Sequence, residues 1–157
     1  MIFKRIRMLI ERLATQERSP KKLALTCCLG IYIGFSPLVG LHTAMTILFG
    51  WMFALNSAVI FAISVLVNNP WTMVPVYSID HVFGKWLFGL LSIDAMQWNP
   101  VWIESCNLFL KQHTGIAGLS LSAFLVGGNL LGIGISVMLN PLIKHAFTVK
   151  IQRAHNT

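Results

Sequence analysis

The stretch LALTCCLGIYIGFSPLVGLHTAMTILFG, residues 23–50, decides how the chain is built: it has no Asp, Glu, Lys or Arg, and it is interrupted at Ser36-Pro37-Leu38-Val39-Gly40. Proline lacks an amide donor and clashes with the preceding helical turn, and Gly40 permits backbone that no helix uses. Residues 23–35 therefore make about 20 Å of helix, short of a hydrocarbon core about 30 Å thick. Such a helix reaches only partway through a bilayer unless the break carries it on.

The charge-free region runs on to Ile79, punctuated at Asn56-Ser57 and interrupted again at Asn68-Asn69-Pro70-Trp71-Thr72, with Pro75 close behind. Two helix–break–helix units thus stand in tandem, each with proline beside small or amide side chains. The expected fold is all-α: an integral membrane helical bundle with two broken units and an N-terminal amphipathic interfacial helix. One re-entrant hairpin plus spanning helices satisfies the pattern, and either broken unit fits the re-entrant role.

Composition points the same way. The 157 residues are 55% hydrophobic and only 11% charged, whereas a soluble domain carries roughly 25% charged residues. A soluble surface built from this chain would be mostly Leu, Ile, Phe and Gly, an aggregation hazard that lipid removes. The net charge of +7 sits at the ends: Lys4, Arg5, Arg7, Arg12, Arg18, Lys21 and Lys22 against Glu11 and Glu17, then Lys144, Lys150 and Arg153 with no acid. Bases that flank apolar segments follow the positive-inside rule and touch anionic headgroups. A nucleic-acid partner would want a basic face with stacking or base-reading residues, and none is expected.

The domain boundaries follow. Residues 1–18 gather Ile2, Phe3, Ile6, Leu9, Ile10 and Leu13 opposite Lys4, Arg5, Arg7, Glu11 and Arg12, the pattern of a helix lying in the headgroup plane or packing on a partner protein. Residues 19–143 form the membrane domain, opened by Ser19 as N-cap and Pro20 at the first helical position. Within it, residues 92–115 read as an extramembrane loop, slightly acidic, with Trp98 and Trp102 as interfacial anchors. The last apolar run, Ile116 to Ile143, offers Gly128-xxx-Gly132 as a close-packing face and closes at Asn140-Pro141 and Lys144. Residues 144–157 are then a basic cytoplasmic tail. Basic termini inside and an acidic loop outside give an even number of crossings, with both termini cytoplasmic. The N-terminus lacks the compact basic-apolar-cleavage pattern of a secretory signal and is expected to be retained.

Irregular backbone at membrane depth is tolerated only where protein buries it or a wet cavity adjoins it, because unpaired amides cost several kcal/mol in hydrocarbon. The breaks are therefore the first candidates for chemistry. In transporters, interrupted helices meet and aim their positive N-terminal dipole ends at an anionic substrate group. The candidate substrate contacts are Ser36, Pro37, Gly40, His42 and Thr43 at the first break, Asn68, Asn69, Pro70, Thr72 and Tyr77 at the second, and the ionisable Asp80 and His81. The competing reading for the breaks is a turn between packed hairpins; for His42, a hydrogen-bonded packing residue; for Lys85, a side chain that snorkels to the interface.

No Ser/His/Asp arrangement, P-loop or HExxH motif is present, so the hydrolase and ATPase templates are absent and no enzyme activity is expected. Cys27, Cys28 and Cys106 have no metal-ligand spacing; neither zinc, nor a structural disulfide, nor a cofactor is expected.

Ser19-Pro20 with the helix after it, Gly30-Ile31-Tyr32-Ile33-Gly34-Phe35-Ser36-Pro37-Leu38-Val39-Gly40-Leu41-His42-Thr43, Leu55-Asn56, Asn68-Asn69-Pro70-Trp71-Thr72-Met73-Val74-Pro75-Val76-Tyr77 and Gly127-Gly128-Asn129-Leu130-Leu131-Gly132 together resemble the bacterial membrane family known as domain of unknown function 2062, over roughly residues 19–143. The resemblance implies a bacterial cytoplasmic-membrane protein, with related domains sometimes attached to glycosyltransferases acting on lipid-linked sugars; it brings no established activity.

The expected function is a small transport or lipid-translocation protein that cradles an anionic headgroup at its paired breaks, with membrane lipids as partners and a homo-oligomer as the assembled state. Two rivals stand beside it. One is a membrane scaffold for a glycosyltransferase or another envelope-assembly partner. The other is an intramembrane enzyme using Asp80 and His81.

Overall fold

The computed structural model describes residues 19–38, 40–91, 100–114 and 118–155, and among them regular structure is entirely helical. The proposed interfacial helix at 1–18 and the anchor Trp98 lie outside the described residues. The elements are α1 (Pro20–Phe35), α2 (His42–Met52), α3 (Ser57–Val67), α4 (Met73–Leu90), α5 (Val101–Thr114) and α6 (Leu121–His155).

Each boundary has a local cause. Ser19 is the residue before α1 and Pro20 its first, but Ser19 caps with its carbonyl alone, accepting from Leu23 N at 3.1 Å, and makes no side-chain cap bond. α1 ends because Ser36 precedes a proline, which forces it out of helical backbone; it stands at φ −65°, ψ 125°, its N–H still bonded to Tyr32 O and Ile33 O. Gly40 completes the turn at φ +88°, where an added Cβ would meet nothing within 4 Å, so glycine is needed there for conformation and not for space. The α2–α3 connection closes with Leu55 N donating to Gly50 O, and Asn56 then caps α3 by accepting from Ala58 N at 3.1 Å and Val59 N at 3.4 Å.

Glycine contacts give the relative directions. A Cβ on Gly30 would strike Ile63 and Ile60 O, and one on Gly34 would strike Val67 and Ser64 O, so α1 and α3 run in the same direction. α2 joins them as the returning limb, with Tyr32 of α1 against Phe49 at 6.2 Å between ring centroids. Against α6 the numbering runs in opposite senses: Cys28 meets Ser136, Tyr32 meets Gly132, and Phe35 and Pro37 meet Gly128. α4 also runs counter to α6, with Gly84 on Ala123 and Asp80 on Gly127. The first broken unit therefore turns back on itself, whereas the second carries the chain onward, and α1 and α4 follow one another along α6. The Lys21-Lys22 end of α1 consequently lies at the Lys144 end of α6.

Two expectations need correction. Residues 101–114 are helical where a loop was expected: Pro100 stands at the helix start, Ile103 N bonds Pro100 O at 2.8 Å, and Ile103 is buried. Asn140-Pro141 does not close the last helix, which runs 35 residues to His155 with Pro141 inside it. An interior proline removes one helical hydrogen bond; Leu142, Ile143, Ala146 and Phe147 continue without a further breaker. The segment Leu121–Gln152 of α6 is long and apolar enough to cross a membrane, and Ser57–Val67 is apolar but shorter.

Candidate functional site

The first break is buried at its Ser36-Pro37 end. Ser36 and Pro37 are covered, and Asp80 from the middle of α4 converges with Phe35 and Pro37 on Gly128. Gly128 of α6 is the point of closest approach: a Cβ there would stand 2.8 Å from Pro37 Cδ, 2.9 Å from Phe35 O and 3.1 Å from Asp80 Cγ. Only glycine lets the three elements converge. Ser36 and Asp80 are each 0% exposed, and neither the Ser36 hydroxyl nor either Asp80 carboxyl oxygen has a hydrogen-bond partner among the described residues.

Around this pair the other polar groups are committed. His42 Nε2 donates to Ser36 O at 3.0 Å, which fixes the proton on Nε2 because a carbonyl has none to give. Thr46 Oγ1 donates to His42 O at 2.7 Å. Tyr32 OH donates to Asn129 Oδ1 at 2.9 Å, and Asn129 Nδ2 returns to Leu125 O.

The second break is a closed turn. Asn69 Oδ1 accepts from Trp71 N at 2.9 Å and Thr72 N at 3.1 Å, while Thr72 Oγ1 donates to Val67 O at 2.7 Å and accepts from Asn69 N at 3.0 Å. Asn68 Nδ2 donates to Tyr77 OH at 2.8 Å, fastening the turn to α4. Pro70 is exposed, as are Gly40 and Thr43 at the first break. The breaks stand at one level, because Gly34, two residues before Ser36, touches Val67, one residue before Asn68.

Asp80 and His81 part company. His81 Nε2 accepts from Ser120 N at 3.1 Å, and Lys85 Nζ donates to Gly118 O at 3.0 Å. Asn107 of α5 holds the same turn by both its amide groups, to Leu119 N at 2.8 Å and Leu119 O at 3.0 Å. These side chains tie α4, α5 and the start of α6 together, so the structure assigns them a fastening role and leaves Asp80 apart. Among the described residues no group of three or more His, Cys, Asp or Glu is placed to hold a metal ion.

The family model described as "Uncharacterized protein conserved in bacteria (DUF2062)" matches residues 3–156. The chain belongs to that family. No curated protein and no solved structure matches it.

In this DUF2062 chain two packing features went unread in the sequence. Gly30-xxx-Gly34 is the close-packing face of α1 toward α3, legible from the same spacing that marked Gly128-xxx-Gly132. The Gly128, Gly132 face of α6 continues to Ser136, where Ser136 Oγ donates to Cys28 O at 2.9 Å. Beside it a groove of about 440 Å³ opens between α1 and α6, lined by Leu25, Leu29, Ile133 and Val137 with Asn140 at its rim. The unpartnered state of Ser36 has no sequence signal; it depends on what three separate helices bring to it.

Proposed function

We propose that this chain is an integral membrane protein that binds the anionic headgroup of a lipid at its first break, level with the second, and carries it between leaflets. The observation that carries the reading is the shared level of the breaks beside buried, unpartnered polar groups. That level falls at Gly128, seven residues into α6 or about 10 Å from its start. Irregular backbone and orphan polar side chains belong, in a bilayer, where a polar substrate passes.

The distribution of residues supports the membrane. Thr26, Ser36, Thr46, Ser64, Asp80 and Ser136 are buried, whereas Trp51, Trp71, Val74, Val101 and Met138 are each more than 70% exposed. Small and polar side chains share the interior with Ile33 and Ile60 while large apolar ones face outward, an arrangement that suits lipid, where close backbone packing replaces hydrophobic burial as the force between helices. The meeting of Lys21 and Lys22 with Lys144 at one end supports a cytoplasmic position for that end.

Within the site, the headgroup belongs on the α2 side. Asp80 repels an anion, but α2 begins with Leu41 where a capping side chain would stand, and makes no side-chain cap bond. His42 and exposed Thr43 flank that positive dipole end. Flipping of a fluorescent anionic lipid in vesicles reconstituted with the full chain tests this. Wild type flips and the double variant His42→Ala, Thr43→Val slows at least tenfold; absence of flipping by wild type ends the proposal.

A second reading is favoured by the second break, whose polar groups are satisfied within its own turn. A break so closed suits a membrane scaffold that docks a glycosyltransferase or another envelope-assembly protein. Purification in mild detergent separates the two: a stoichiometric partner lost on deleting residues 1–18 supports the scaffold. Homo-oligomerisation accompanies either reading, since the six described helices, of which one is long and apolar enough to cross a membrane, offer little wall for a sealed path.

A further inference from the structure

We infer that Asp80 and Ser36 form a seat for one small monovalent cation, a proton or a sodium ion, that travels with the anionic substrate. The inference rests on the translocation reading for its role, and on geometry alone for its existence.

Asp80 is fully covered, yet among the described residues no side chain answers its charge. Its own helix offers His81 and Lys85, but both are held by the 118–120 turn on another face. The part of α6 packed against it, Ala123 to Gly128, contains no titratable residue, and Phe35 and Pro37, which meet it at Gly128, carry no charge. His42, across the break, points its Nε2 proton at Ser36 O. A carboxylate taken out of water without a counter-charge is costly to keep and has to be neutralised.

The surroundings suit a small cation. The negative dipole end of α1 terminates at Phe35, and the close approach at Gly128 brings its carbonyl oxygen toward the Asp80 carboxyl: both lie within 3.1 Å of the point where a Gly128 Cβ would stand, a point that Pro37 Cδ closes to anything larger. The buried Ser36 hydroxyl, with no partner among the described residues, supplies a further oxygen. Oxygen donors without nitrogen or sulfur match a hard cation. Among the described residues no cluster of three acidic or soft ligands is present to favour a multivalent metal. A single positive charge beside a headgroup anion also lowers the penalty of moving that anion through hydrocarbon.

The experiment uses the full chain purified in detergent and is independent of any flipping assay. Thermal unfolding is followed in sodium chloride and in choline chloride at equal ionic strength, and infrared difference spectra are taken between acidic and alkaline buffer. For sodium, wild type gains several degrees of Tm over choline, and the gain is lost in Asp80→Asn and reduced in Ser36→Ala. For a proton, sodium has no effect, and a protonated-carboxyl band appears on acidification that Asp80→Asn abolishes and Ser36→Ala shifts. If Asp80→Asn does not fold, Ser36→Ala decides alone. Absence of both responses in wild type overturns the inference, as does either response persisting unchanged in Ser36→Ala together with Asp80→Asn. A seat that fills in a protein that does not flip lipid leaves the cation site standing and removes the translocation reading.

Discussion

Cys28 and Ser136 hold one another by reciprocal bonds: Cys28 Sγ donates to Ser136 O at 3.3 Å and Ser136 Oγ donates to Cys28 O at 2.9 Å. Both residues are buried, and Asn140 Nδ2 adds a contact to Cys28 Sγ at 3.5 Å. Replacing Ser136 by Ala removes the donor to Cys28 O, and the expected loss is about 1 kcal/mol. Cys28→Ser keeps a donor in place and is expected to cost less. Thermal midpoints in detergent compare the two.

The α4–α6 crossing depends on glycine. A Cβ on Gly84 would collide with the Ala123 backbone, and one on Gly127 with Asp80 O, so neither neighbour can yield by rotating a side chain. Gly84→Ala and Gly127→Ala are each expected to destabilise the fold by about 2–3 kcal/mol or to separate α4 from α6. Gly89, on the same helix, has open space around it, and Gly89→Ala is expected to stabilise by about 0.5–1 kcal/mol through helix propensity. Opposite signs for Gly84 and Gly89 in one unfolding series check the packing.

At Gly40 the constraint is conformational. With φ at +88° and no neighbour to strike, Gly40→Ala is expected to cost about 1–2 kcal/mol. Gly40→Asn costs less, because asparagine tolerates positive φ better than alanine. Equal effects from the two variants, read by unfolding, count against this backbone assignment.

Asn69 serves its own turn. Asn69→Ala strips the acceptor from Trp71 N and Thr72 N, at an expected cost of about 1 kcal/mol. Any lipid movement by the folded protein is expected to stay within about twofold of wild type, roughly 0.4 kcal/mol in the barrier. A large loss of movement with stability intact assigns Asn69 to the substrate.

Much of the helical layout was legible because its signals are local. Pro37, Pro70 and Asn56 act on residues next to them, and the helix boundaries at Phe35, Val67 and Ser57 follow. The continuation of α6 through Pro141 was not legible, since proline ends a helix only when nothing beyond it sustains one. Residues 101–114 misled for a related reason: Glu104, Asn107, Lys111 and Gln112 read as loop polarity, although the helix start at Pro100 was present. The split between Asp80 and His81 was out of reach of spacing alone. Adjacent residues on a helix point about 100° apart, and which one meets Gly128 and which meets Ser120 is decided by chain segments about 40 residues away.

Because the first unit doubles back and the second proceeds, the chain acquires a definite sidedness. In the bilayer setting proposed above, an epitope inserted at residue 54 should be reached by antibody from the same face as one at residue 19, and one at residue 91 from the opposite face, with the end of α6 returning to the first. Protease-shaved vesicles of known orientation would then leave a different fragment pattern for each face, written into the chain by nothing more than a parallel pair of short helices.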